Sequence, residues 1–182
     1  MSSWQEDVMW IVANGFHIIK IIPLGKIPLA HSNHTKGSPN CNPSLDYNDA
    51  IDWIMKGGNL AIRADERCFI DFDRRVVPFN ADYYRQFNTV VSFSHGGYHL
   101  YYDNPRHYSV QEIQTIVESK YKNVKIKHGK KSEGGGDVVH IDNGYVIAPP
   151  SRVKQKDDSI YQYHFLDDRK VIYGITKLGA LQ

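Results

Sequence analysis

Cysteine is scarce in this chain, net charge is nearly absent and no apolar run is long, and each shortage excludes a class of protein. Two cysteines in 182 residues, Cys41 and Cys68, cannot form a disulfide framework, so a reducing, cytoplasmic setting is expected. A formal charge of +2, from 22 Lys and Arg against 20 Asp and Glu, gives no global attraction toward nucleic acid or an anionic membrane. Any polyanion must then be met by local patches. The most apolar stretch, residues 16 to 24, is interrupted by His17, Lys20 and Pro23. It falls short of the roughly 20 apolar residues of a membrane span, reads as a buried strand and leaves no membrane partner expected. Glu6 and Asp7 stand where a secretory signal would carry basic and then apolar residues.

What is present is the composition of a folded protein: 41% hydrophobic, 12% aromatic and 23% charged residues. The length suits one domain over residues 1–182, with room for two small lobes sharing a core.

Periodicity and caps divide the chain. A helix is expected over 4–13, with Trp4, Val8, Ile11 and Val12 on one side, and a strand over 16–22. A polar loop fills 25–44. Asp46 can cap a second helix carrying Ala50, Ile51, Trp53 and Ile54, stopped at Gly57-Gly58. Strands are expected over 59–64 and 67–73, and a short helix capped by Asn80. A hairpin of 89–93 with 98–102 follows, turning at His95-Gly96-Gly97. Ser109 and Glu112 have capping-box spacing before the stripe Val110, Ile113, Ile116 and Val117. Further strands are expected over 124–127, 138–141, 145–148, 161–165 and 170–173. Many strand pairs are joined by loops too short for a crossover helix, so the fold class is α+β with a mixed or largely antiparallel sheet.

The segment Cys68-Phe69-Ile70-Asp71-Phe72-Asp73 carries the most chemistry. Side chains alternate across a strand, which puts Asp71 and Asp73 on one face and Cys68, Ile70 and Phe72 on the other. Two neighbouring carboxylates repel, and a divalent cation turns that repulsion into binding; oxygen ligands favour hard ions such as Mg or Mn. A solvated strand end beside Arg74 and Arg75 is the plainer reading of the pair alone. Next, Ser94-His95-Gly96-Gly97-Tyr98-His99-Leu100-Tyr101-Tyr102 leads from a glycine turn into a strand whose His99 and Tyr101 face the same way. Glycine lets backbone approach a bulky ligand, and a histidine there suits a triphosphate; an ordinary hairpin is the plainer reading. In a third segment Gly134-Gly135-Gly136 leads into Asp137, and Asn143-Gly144 suits a tight hairpin turn. Asp137 is positioned to add a third carboxylate, in preference to Asp142 beside the turn.

Taken in order, these segments resemble the prim-pol branch of the archaeo-eukaryotic primase superfamily, the bifunctional DNA primase/polymerase domain, over about residues 15 to 161. Pro23-Leu24-Gly25-Lys26-Ile27-Pro28 looks like the family's lysine-proline element, and Ile70-Asp71-Phe72-Asp73 like its acidic motif. Gly96-Gly97-Tyr98-His99 is similar to its glycine-histidine motif, and Asp137 through Ala148-Pro149-Pro150-Ser151 to its third motif. The resemblance implies a prim-pol fold, with an RRM-like catalytic core, flanking helices and two lobes sharing one active-site cleft. It implies Asp71, Asp73 and Asp137 as ligands of two divalent ions, Mg2+ or Mn2+, and His99 as a catalytic residue that hydrogen-bonds the incoming triphosphate. Ser94, Ser151 and Arg152 are further candidates for the phosphates, Arg152 because a guanidinium offers a planar fork of donors; a turn after Pro149-Pro150 is the plainer account of the last two. The implied activity is template-directed synthesis and extension of primers on single-stranded DNA from nucleoside triphosphates. It belongs to plasmid, phage or viral replication in a bacterial or archaeal cell, with a replicative helicase in cis or in trans. Beyond Phe165 nothing suggests a helicase or a helical accessory domain.

A basic patch of Lys120, Lys122, Lys125, Lys127, Lys130 and Lys131, with His128, leads into the glycines before Asp137. Such a patch suits the backbone of a template strand, and Tyr98, Tyr101 and Tyr102 are candidate platforms for its bases. His31, His34 and Cys41 lack a nearby fourth ligand, so zinc is not expected. Two other readings compete: a metal-dependent replication-initiator nuclease, which wants a second histidine beside His99-Leu100-Tyr101, and a non-catalytic module that binds single strands on aromatic strands.

Overall fold

Each helix of this computed structural model, described over residues 3–29, 44–73, 78–120, 137–166 and 171–177, starts on a side-chain oxygen. Helix α1 (Trp4–Ala13) opens with a full capping box between Ser3 and Glu6. Asp46 caps α2 (Tyr47–Met55) by accepting from the Asp49 amide. Asn80 caps α3 (Ala81–Arg85), and Ser109 exchanges hydrogen bonds with Glu112 at the start of α4 (Val110–Lys120). Each cap satisfies amides that the first helical turn leaves unpaired. Gly57, at a φ of 84°, follows α2 in the left-handed conformation expected of a helix stop.

The strands are β1 (His17–Ile21), β2 (Asn59–Phe72), β3 (Val90–Phe93), β4 (Tyr98–Asp103), β5 (Val138–Ala148), β6 (Arg152–Lys154), β7 (Ile160–Gln162), β8 (His164–Phe165) and β9 (Tyr173–Gly174). Seven of them form one sheet in the order β1-β2-β4-β3-β8, with β5 also on β2 and β9 on β4; β6 and β7 form a second, two-stranded sheet. Every pairing is antiparallel except the short β4–β9 contact. The chain is therefore α+β with a mainly antiparallel sheet and a few helices.

Several expected elements change. The strands expected over 59–64 and 67–73 are one strand of 14 residues. Asp65 adopts a φ of 48°, and the pairing with β5 shifts register on either side of it, so the chain bulges instead of breaking. Asn143-Gly144 makes no hairpin: β5 runs along β2 from Ala148 opposite Leu60 to Val138 opposite Asp71. Asp142, with a φ of 51°, stands opposite Asp65 in that bulge. The turn-prone residues are accommodated within a continuous strand. The strand expected over 161–165 divides at Tyr163, whose amide bonds the Ser151 carbonyl, sending β7 to the small sheet and β8 to the large one. Of the strand expected over 170–173, Tyr173 alone falls in a strand, the two-residue β9, and residue 170 lies outside the described residues. The strand expected over 124–127 lies outside the described residues, as does most of the loop expected over 25–44.

The bulge also reverses which residues of β2 face which cluster. Before it, Leu60, Ile62 and Ala64 pack with Val8 and Ile11 of α1 and Ala50 of α2; after it, Phe69 joins that cluster. Cys68, Ile70 and Phe72 instead pack with Tyr84 of α3 and with Ile113 and Val117 of α4. A third cluster joins Ile19, Ala61 and Ile147 of the large sheet to Val153 and Tyr163. The small sheet is tied on by Asn59, whose side chain bonds the Arg152 amide at 2.8 Å and its carbonyl at 2.7 Å. No helix among the described residues is long and apolar enough to cross a membrane.

The β3–β4 turn tests this packing. A Cβ added at Gly97 would overlap the Phe72 carbonyl oxygen, whereas one at Gly96 meets nothing within 4 Å. Gly97→Ala is expected to destabilise the fold by about 3 kcal/mol and Gly96→Ala by less than about 1 kcal/mol, as read from denaturant unfolding.

Candidate active site

Antiparallel register assembles the site. Ser92 on β3 stands opposite His99 on β4, His99 opposite Asp71 on β2, and Asp71 opposite Val138 on β5. Residues directly opposite across antiparallel strands share a face, so serine, histidine and aspartate form one row. His140, opposite Phe69, belongs to the next row on that face.

Asp71 is 5% exposed, and a buried carboxylate needs compensating partners. Its Oδ1 lies 3.4 Å from His99 Nε2 and its Oδ2 lies 3.8 Å from His140 Nε2. Behind His99, the Ser92 hydroxyl is 3.4 Å from Nδ1 and 2.6 Å from the Tyr101 hydroxyl. Burial pushes the Tyr101 phenol well above its ordinary value, against a smaller lowering by the Ser92 hydrogen bond, so it stays a donor. An ionised Asp71 only accepts, which orients the whole chain of bonds. In the tautomer that carries the His99 proton on Nε2, toward Asp71, Ser92 donates to Nδ1 and Tyr101 donates to Ser92.

A cavity of about 670 Å³ opens over this row. Its walls include Asp71 and Asp73 of the first segment, Ser94, His95 and His99 of the second, and His140 and Tyr145 of the third. Lys26 and Tyr163 also line it, with Lys26 Nζ 6.0 Å from the Tyr163 ring centre. Asp73 is exposed just past the end of β2, and its amide donates to Asp137 Oδ1 at 3.2 Å. Asp137 is thus held beside the acidic segment, whereas Asp142 sits opposite Asp65 in the bulge. Among the described residues, no three His, Cys, Asp or Glu side chains form a ready-made metal cluster.

Other expected site residues fall elsewhere. Ser94 lines the cavity, its hydroxyl accepting from the Gly97 amide at 3.1 Å. Ser151 is buried, and its hydroxyl donates to the Leu60 carbonyl at 2.9 Å and accepts the Leu60 amide at 2.8 Å. It locks β2 to the turn before β6 and is not a phosphate contact. Arg152 is exposed on β6 and off the cavity wall. Tyr98, Tyr101 and Tyr102 are buried core residues, so none is a platform for bases: their rings pack Phe72, Phe69 and the α3 and α4 side of the sheet. Lys122, Lys125, Lys127, Lys130 and Lys131, with His128, lie outside the described residues, as do His31, His34 and Cys41. Cys68 is buried, and burial pushes its thiol up.

Ser92 and His140 were not expected from the sequence. Ser92 could have been found by counting back from the Gly96-Gly97 turn, which pairs it with His99. His140 could not, because its place beside Asp71 depends on the register shift at Asp65.

Compared with protein-family models and with curated proteins, the chain matches none.

The reassignment of Ser151 has a direct check. Ser151→Ala leaves the Leu60 amide and carbonyl unpaired and is expected to lower stability by about 2 kcal/mol.

Proposed function

We propose that the chain is a template-directed nucleotidyltransferase, a DNA primase/polymerase of the prim-pol type that makes and extends primers on single-stranded DNA. One observation carries the reading. Three segments distant in sequence, around Asp71, His99 and His140 to Tyr145, line a single cavity. A nucleotide-polymerising site needs that convergence, because catalysis of phosphoryl transfer is mostly positioning and charge stabilisation. The helices packed on both sides of a mainly antiparallel sheet, with a small second sheet beside it, are compatible with the two-lobed primase architecture. Tyr98, Tyr101 and Tyr102 are buried, so these three do not supply the aromatic face that a purely binding module would use.

Asp71, Asp73 and Asp137 are the residues that would hold Mg2+ or Mn2+. Their all-oxygen donor set suits such ions: Asp71 and Asp73 share the cavity wall, and Asp137 is anchored to the Asp73 backbone. Bound there, divalent ions would activate the attacking 3′-hydroxyl and neutralise charge on the phosphates and the leaving pyrophosphate. The chain's own groups do the rest. His99, oriented from behind by Ser92, would turn its Nε2 proton from Asp71 to a triphosphate oxygen once the carboxylate holds an ion. Lys26 adds a positive charge to the cavity wall. Gly97 lets the β3–β4 turn lie against the Phe72 backbone, and Gly96 lines the cavity. A replicative helicase, in cis or in trans, and a single-stranded template are the partners that this activity calls for.

The test is de novo synthesis on single-stranded DNA with labelled nucleotides and Mg2+ or Mn2+. The double variant Asp71→Ala plus Asp73→Ala is expected to lose at least about 1,000-fold in rate, since charge stabilisation of this kind contributes several kcal/mol. Primer synthesis that survives the double change would sink the assignment.

A further inference from the structure

The two imidazoles beside Asp71 are not equivalent. His99 has both ring nitrogens engaged, Nδ1 by Ser92 and Nε2 by Asp71. His140 Nε2 is a buried atom with no hydrogen-bond partner among the described residues, although its ring lines the cavity. Asp71 Oδ2, at 3.8 Å, is too far to accept a hydrogen bond from it. A buried polar atom left in that condition calls for an explanation, and an absent ion is one of the standard ones.

The separation itself is informative. Imidazole nitrogen and carboxylate oxygen ligands each stand about 2.0–2.2 Å from a divalent transition ion, so a nitrogen and an oxygen up to about 4 Å apart can share one. His140 Nε2 and Asp71 Oδ2 fall within that span, and both residues line the same cavity. We propose that His140 is a direct ligand of the divalent ion held at Asp71, making a mixed nitrogen–oxygen site that selects a transition ion such as Mn2+ over Mg2+. Mg2+ gives up its waters reluctantly and binds through one or two carboxylates, whereas imidazole favours first-row transition ions. The remaining positions are left to Asp73, Asp137, water and phosphate. The inference rests on the nucleotidyl-transfer reading for the use of the ion, but not for its binding.

The test uses chelator-washed full-length protein and Mn2+ alone. Electron spin echo modulation of the bound ion is expected to carry the signature of a directly ligated imidazole ¹⁴N. His140→Gln is expected to lose that signature and to weaken Mn2+ binding about tenfold or more, with Mg2+ binding, measured by competition, changed less than threefold. His99→Gln is expected to keep the nitrogen signature. An unmodulated wild-type spectrum, or a nitrogen modulation that persists in His140→Gln, overturns the proposal; should that variant not fold, loss of the modulation in His99→Gln overturns it instead. Primer synthesis separates the two readings: nitrogen-ligated Mn2+ without synthesis sinks the enzymatic one alone, and synthesis without nitrogen ligation sinks the role of His140 alone.

Discussion

A carboxylate buried in the middle of a sheet is the constraint around which this molecule is arranged. Asp71 lies on β2, the strand that pairs with β1, β4 and β5, so both of its edges are taken, and its side chain lines the cavity. A charge in that position is tolerated only where hydrogen bonds or opposite charge compensate it. Here the compensation comes from neighbouring strands: His99 on one oxygen, backed by Ser92 and Tyr101, and His140 toward the other. Stability alone would be served as well by an apolar residue, as at Phe69 and Ile70 on the same strand. The retained carboxylate, opening on a cavity, points to function.

The scaffold makes that placement possible through one irregularity. Asp65 and Asp142 both take positive φ and face each other across β2 and β5. Without the bulge, side-chain alternation would carry the parity of Leu60 and Ile62 unchanged to the end of the strand, and every residue beyond Asp65 would point to the opposite face. With it, Phe69 packs under α1 and α2, Asp71 shares that parity, and Ile70 and Phe72 seal the other face against α3 and α4. The site and the two hydrophobic clusters therefore depend on the same local distortion.

Much of this was legible in the sequence, for identifiable reasons. Helix starts followed from single capping side chains such as Asp46, Asn80 and Ser109, which act over three residues. The β3–β4 hairpin followed from two glycines, and with it the common facing of His99 and Tyr101. Alternation alone put Asp71 and Asp73 opposite Cys68, Ile70 and Phe72. What failed was long-range. Asn143-Gly144 carries the local chemistry of a hairpin turn, but pairing along the full length of β2 outweighs a two-residue preference. Ser151, just after the third motif at Pro149-Pro150, looks like a phosphate contact until Leu60, far away in sequence, is found occupying its hydroxyl. Tyrosines read as base platforms were core, because aromatic residues on strands are informative about burial only once the covering helices are known.

The central claim is that the cavity over Asp71 and His99 holds a nucleoside triphosphate with divalent ions. A crystal structure with a non-hydrolysable nucleoside triphosphate and Mn2+ tests it most directly. The expected result is triphosphate density within hydrogen-bond distance of His99 Nε2, with Mn2+ bound to Asp71. A triphosphate bound elsewhere, or a cavity that stays empty at saturating nucleotide, would contradict the account.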